Sequence, residues 1–87
     1  MRSAIFTNEF EKDCRNIPVH IKSRADSIVA LLQKNPIDIK LAVKKLTNIH
    51  PPVWRVRIGS YRLLYMFDDS NLILLKFKHR KDIYRSV

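Results

Sequence analysis

Between Val53 and Tyr84 the chain reads VWRVRIGSYRLLYMFDDSNLILLKFKHRKDIY, three short apolar runs cut first by Gly59-Ser60 and then by Asp68-Asp69-Ser70-Asn71. Gaps this short join antiparallel neighbours, so the segment predicts three strands linked by two tight turns. Side chains alternate across a strand, which puts Trp54, Val56 and Ile58 on one face and Arg55 and Arg57 on the other. The same phase gathers Tyr61, Leu63, Tyr65 and Phe67 opposite Arg62, Leu64 and Met66. It sets Ile73, Leu75 and Phe77 against Leu72, Leu74, Lys76 and Lys78. Carried past Lys78, it turns His79 toward the apolar side and Arg80 toward the basic one. The expected sheet has one apolar face and one face that collects Arg55, Arg57, Arg62, Lys76, Lys78 and Arg80.

Ahead of this block, residues 2–6 form a strand candidate ending at Phe6-Thr7. Asn8 followed by Glu11 fits a capping box, so a first helix is expected from Glu9 to about Arg15, with Phe10 and Cys14 on its buried side. Pro18 suits a first helical turn and opens a second helix from about Val19 to Gln33, whose stripe is Ile21, Ile28, Leu31 and Leu32. Asn35-Pro36 ends it. Leu41 to Leu46 fits a helical turn, and Pro51-Pro52 holds the chain extended before the next strand. The order β-α-α-β-β-β predicts an α+β fold, an antiparallel sheet with both N-terminal helices packed on its apolar face.

A chain of 87 residues suffices for one domain, residues 1–87, with a single modest core. No apolar run exceeds the five residues of Ile28–Leu32 or Leu63–Phe67, too short for a membrane-spanning helix or a secretory signal. Cys14 is the only cysteine, and no Cys/His spacing suits zinc, so the expectation is a cytoplasmic protein without metal or cofactor. Lys and Arg number 17 against 8 Asp and Glu, a formal charge of +9. These charges alternate with core residues on rigid strands. That favours a polyanionic partner, nucleic acid or an acidic protein segment, over a merely solvated surface.

The run WRVRIGSYRLLY, Trp54 to Tyr65, followed by HRKDIY, His79 to Tyr84, resembles the RelE side of the RelE/ParE toxin superfamily. The upstream pattern is similar too, so the resemblance covers nearly the whole chain. It implies a type II toxin of a toxin–antitoxin pair with the fold derived above, partnered by a cognate acidic antitoxin. Many RelE members cleave messenger RNA in the ribosomal A site without a metal, which would add contacts to 16S ribosomal RNA; ParE members poison DNA gyrase instead. A catalytically decayed toxin that keeps only antitoxin binding is a third possibility.

Metal-free cleavage uses the 2′-hydroxyl as nucleophile, so an enzyme must take one proton, stabilise added negative charge and protonate the departing 5′-oxygen. By the resemblance, Arg62 and Arg80 match the family's phosphate-stabilising arginines and Tyr84 its catalytic tyrosine. Arg55, Arg57, Lys76, Lys78 and Lys81 are expected to bind RNA. Arg55 and Arg57 stand where some relatives carry lysine, and arginine does not give up its proton. The general base is therefore open among Tyr84, His79, Lys78 and Lys81. His79 reads more simply as a residue locking the strand end, and Tyr61, Tyr65 and Phe67 as core.

Overall fold

A computed structural model describes residues 1–83. Its elements are β1 (Ser3–Phe6), α1 (Asn8–Cys14), α2 (Val19–Lys34), a short 3-10 turn (Ile39–Leu41), β2 (Lys44–Lys45), β3 (Trp54–Ile58), β4 (Tyr61–Phe67), β5 (Asn71–His79) and α3 (Arg80–Ile83). Among the described residues the strands form one sheet in the order β1-β5-β4-β3-β2. The three C-terminal strands are antiparallel, as their short turns require. β1 adds to β5 in parallel, because helices α1 and α2 carry the chain back before β3 begins.

The two N-terminal helices pack on one face. Phe10, Ile17, Ile21, Ala25, Val29 and Leu32 meet Val56, Ile58, Leu63, Tyr65, Leu72, Leu74 and Phe77 in the main core. The α2 stripe is Ile21, Ala25, Val29 and Leu32, spaced to fall on one side of a 3.6-residue helix. Leu31 was expected in that stripe, but it sits a hundred degrees round from Leu32 and is 44% exposed. Thr7, not Asn8, caps α1 by accepting the Phe10 N–H. The expected helical turn at Leu41–Leu46 is instead the end of the 3-10 turn followed by the two-residue edge strand β2 against Trp54 and Arg55.

The alternation expected for β5 fails in its first half. Leu63 faces Phe77 and Leu64 faces Lys76, but Tyr65 faces Leu74, leaving Leu75 as an extra residue. One inserted residue reverses every side chain beyond it. Leu72 and Leu74, expected outside, are therefore fully buried in the core, while Ile73 stands opposite Met66 on the outward face. The bulge falls where β1 stops. There the Thr7 hydroxyl donates to the carbonyls of Leu74 and Leu75 at 2.9 and 3.2 Å, satisfying backbone groups that a regular ladder would have used.

Two tight connections set the rest. Asp68 accepts the N–H groups of Ser70 and Asn71 in the β4–β5 turn, and these bonds hold its carboxyl below the usual range. Gly59, the chain's sole glycine, has φ +61° at the β3–β4 turn, and a Cβ there would lie 3.4 Å from Ile21 Cδ1. Gly59→Ala is expected to destabilise the protein by about 1–2 kcal/mol, because an L-residue pays that much in the left-handed region. A thermal melt with an unchanged midpoint would contradict a strained turn. At the other end of β4, the Tyr65 hydroxyl donates to the Pro36 carbonyl, tying the loop after α2 to the sheet; burial pushes this phenol well above its ordinary pKa.

Candidate functional site

The outward face of the sheet carries the basic side chains in cross-strand rows. Arg57 stands directly opposite Arg62, and Arg62 opposite Lys78. Next to it run Lys44, Arg55, Leu64 and Lys76 in the same manner. Like charges placed directly opposite one another oppose folding. A row of three across adjacent strands concentrates positive charge on this face. Arg57 is exposed, Arg55 and Arg62 are half-buried, and Leu64 beneath them is 2% exposed, so it floors the site. Ile83 is also fully buried outside the main core. α3 lies against β4 and β5.

The Gly59-Ser60 turn is held by the Arg62 side chain and by the backbone of Arg80. Arg62 donates from Nη1 to the carbonyls of Gly59 and Tyr61 at 3.1 and 3.0 Å. The backbone N–H of Arg80 donates to the Ser60 carbonyl at 2.8 Å, which docks the start of α3 on the same turn and leaves the Arg80 side chain exposed. Arg80 was expected to continue β5; it is instead the first residue of a helix. His79 ends the strand on the core side, edge-on to Tyr61 at 5.3 Å, and its Nδ1 accepts the Lys81 N–H at 3.2 Å. Its ring thus braces the strand-to-helix corner, as the structural reading of this residue expected. Lys81 is exposed on α3, and Tyr84 lies outside the described residues.

Lys76 and Lys78 reach the outer edge of β5, where α1 covers the strand beyond the end of β1. The Lys78 ammonium lies 2.7 Å from Asp13 Oδ1, and Lys76 lies 3.4 Å from Glu9 Oε2. Asp13 is itself nearly buried and accepts the Phe77 N–H at 2.9 Å through its other oxygen. The hydrogen bond that Lys78 donates to Asp13 raises the Lys78 pKa. A lysine that grips its proton more tightly is a poorer general base, so Lys78 suits charge neutralisation better than proton abstraction. Sequence reasoning missed Glu9 and Asp13 as partners of this face. Their four-residue spacing puts them on one side of α1, but nothing local says which strand they meet.

Among the described residues no group of His, Cys, Asp and Glu is placed to hold a metal, and no helix is long and apolar enough to cross a membrane.

Residues 4–84 match the family described as the ParE toxin of the type II toxin–antitoxin system parDE. Toxin RelE3 of Methanocaldococcus jannaschii is 33% identical over 82 residues, 92% of both chains, and toxin RelG of Mycobacterium tuberculosis is 30% identical over 83 residues with the same coverage. The toxin fold in the crystal structure of the RelB-RelE antitoxin-toxin complex from Methanococcus jannaschii superposes with a TM-score of 0.80 at 30% identity, covering 94% of this chain and 96% of that one. The chain belongs to the RelE/ParE superfamily of type II toxin–antitoxin toxins. The resemblance read from WRVRIGSYRLLY and HRKDIY holds, as does the α+β fold it implied.

Proposed function

We propose that this toxin is a metal-independent endoribonuclease that cleaves messenger RNA on the ribosome and so inhibits translation. The observation that carries the reading is the row Arg57, Arg62, Lys78 across the sheet, with the backbone of Arg80 docked on the Gly59-Ser60 turn that Arg62 also holds. Arginine's planar fork grips phosphate oxygens in pairs and stays charged throughout a reaction. The scissile phosphate lies against Arg62 and Arg80. The 2′-hydroxyl attacks it, a 2′,3′-cyclic phosphate forms, and the 5′-oxygen leaves with a proton. Arg55, Arg57 and the lysines hold the flanking backbone, and ribosomal RNA contacts extend from the same surface.

Tyr84 is the proton-handling group in this scheme, because Arg55 and Arg57 cannot act as base and the His79 ring braces the core side of the β5–α3 corner. A cognate acidic antitoxin neutralises the toxin by covering the basic face; the relatives crystallised with RelB support such a partner.

The test is single-turnover cleavage of messenger RNA on programmed ribosomes, with mapped 5′ ends, run beside a gyrase supercoiling assay. Cleavage with no effect on supercoiling is expected. Tyr84→Phe keeps the ring and removes only the hydroxyl, and it is expected to slow cleavage nearly as much as Tyr84→Ala. Wild-type rates in Tyr84→Phe together with a crippled Tyr84→Ala would assign the ring to base stacking instead. Inhibited supercoiling without RNA cleavage would replace the nuclease with a gyrase poison.

A further inference from the structure

Glu9 sits in the first turn of α1, with a single carboxylate oxygen, Oε2, lying 3.4 Å from the Lys76 ammonium and 3.5 Å from that of Lys78. Asp13, one turn further along the same helix, also meets Lys78, yet the two acids differ in kind. Asp13 is 10% exposed, holds Lys78 at 2.7 Å and satisfies the Phe77 N–H. Removing it would orphan a strand-edge donor, so it is fixed. The Glu9 side chain is 47% exposed, and both of its contacts exceed the usual length of a charge-assisted hydrogen bond. A half-exposed carboxylate at these distances contributes little to stability. Glu9 can therefore leave without loosening the fold.

We infer that the Lys76/Lys78 pair is a phosphate subsite and that Glu9 occupies it in the free protein as a resident competitor, displaced when an RNA backbone arrives. The inference rests on the outward face being an RNA-binding surface. One carboxylate oxygen bridging two ammonium groups stands where a phosphate oxygen would lie, and a phosphodiester offers a second anionic oxygen that lets each lysine take its own. Lys78 is directly opposite Arg62 across the sheet. The subsite therefore takes the phosphate next to the one held by Arg62 and Arg80. A carboxylate that must be expelled also weakens short or partial contacts and favours a continuous backbone laid along the whole row. Acidic protein segments offer carboxylates spaced differently from successive phosphates, so RNA is the better match.

Binding of an uncleavable 2′-O-methyl oligonucleotide, followed by fluorescence anisotropy at low salt, tests this directly. Glu9→Gln is expected to tighten binding roughly fivefold by removing the competitor. Glu11→Gln changes net charge equally on the same helix and is expected to shift affinity by less than about twofold, as screening dictates for a charge outside the subsite. With Lys76→Met the gain from Glu9→Gln should largely vanish. Thermal melts establish that each variant is folded. A second arm titrates pyrophosphate against protein carrying ¹⁵N-lysine: the Lys76 and Lys78 Nζ signals should move, at lower concentration in Glu9→Gln. No tightening in Glu9→Gln, equal tightening in Glu11→Gln, or tightening toward poly-glutamate but not RNA would overturn the inference. If messenger RNA is cleaved while Glu9→Gln binds no more tightly, the subsite falls and the nuclease stands. If pyrophosphate finds the lysines while no RNA is cleaved, the subsite stands and the nuclease falls.

Discussion

Arg80→Ala is expected to slow the cleavage step about a hundredfold or more while leaving the folded protein unchanged. The Arg80 side chain is exposed, and only its backbone N–H holds the Gly59-Ser60 turn, so alanine keeps the structural bond. In the proposed reaction, what is lost is a donor to charge that grows as the phosphate becomes pentacoordinate. Losing one such donor typically costs on the order of 3 kcal/mol in the transition state. Arg62→Ala should be at least as severe but less clean, because Arg62 also donates to the carbonyls of Gly59 and Tyr61 and its loss loosens the turn. Single-turnover rates with ribosome binding measured in parallel separate the two effects. A wild-type cleavage rate in Arg80→Ala would remove Arg80 from the reacting phosphate, whereas no cleavage by the unaltered toxin would leave a toxin that acts by binding.

The largest effect on stability is expected from Asp13→Ala, a loss of about 3 kcal/mol, or roughly a 15 °C lower Tm for a chain of this size. Alanine orphans the Phe77 N–H at the strand edge and strips the Lys78 ammonium of its closest carboxylate. Asp13→Asn keeps an acceptor for the backbone and loses only the charge, so it should fall between wild type and alanine. The pH dependence follows from the Lys78 pKa, which the Asp13 hydrogen bond raises above 10.5. A raised pKa means that the pair's contribution is fully present below 10.5 and is lost as pH rises through the higher folded value. The gap between wild type and Asp13→Asn should accordingly narrow in strongly alkaline solution. An equal gap at pH 7 and above pH 11 would mean that the bond to Phe77, not the ion pair, carries the effect.

The gathering of Arg57, Arg62 and Lys78 on one face was legible before any coordinates, though not their pairing in a cross-strand row. Period-two alternation in Trp54–Ile58 and Tyr61–Phe67 placed those arginines opposite the core, and both strands keep that phase. The Gly59-Ser60 turn was equally legible, since glycine flanked by alternating strands has few other uses. Helix α1 was foreseen to within a residue, although its cap is Thr7, because the choice between neighbouring Thr7 and Asn8 depends on where β1 lets go of β5.

By itself the sequence determined the apolar and basic faces, the antiparallel run of β3 to β5, the two N-terminal helices and the superfamily, because each is written in local periodicity, turn residues or contiguous motif. Tertiary structure alone decided the rest. The bulge at Leu75 has no local marker, being set by the end of β1 and the Thr7 hydroxyl beside it, and it exchanged Leu72 and Leu74 for Ile73 in the core. The pairing of Glu9 and Asp13 with Lys76 and Lys78 joins residues more than sixty positions apart. No spacing rule spans such a distance; only the docking of α1 along the edge of β5 beyond β1 brings them together.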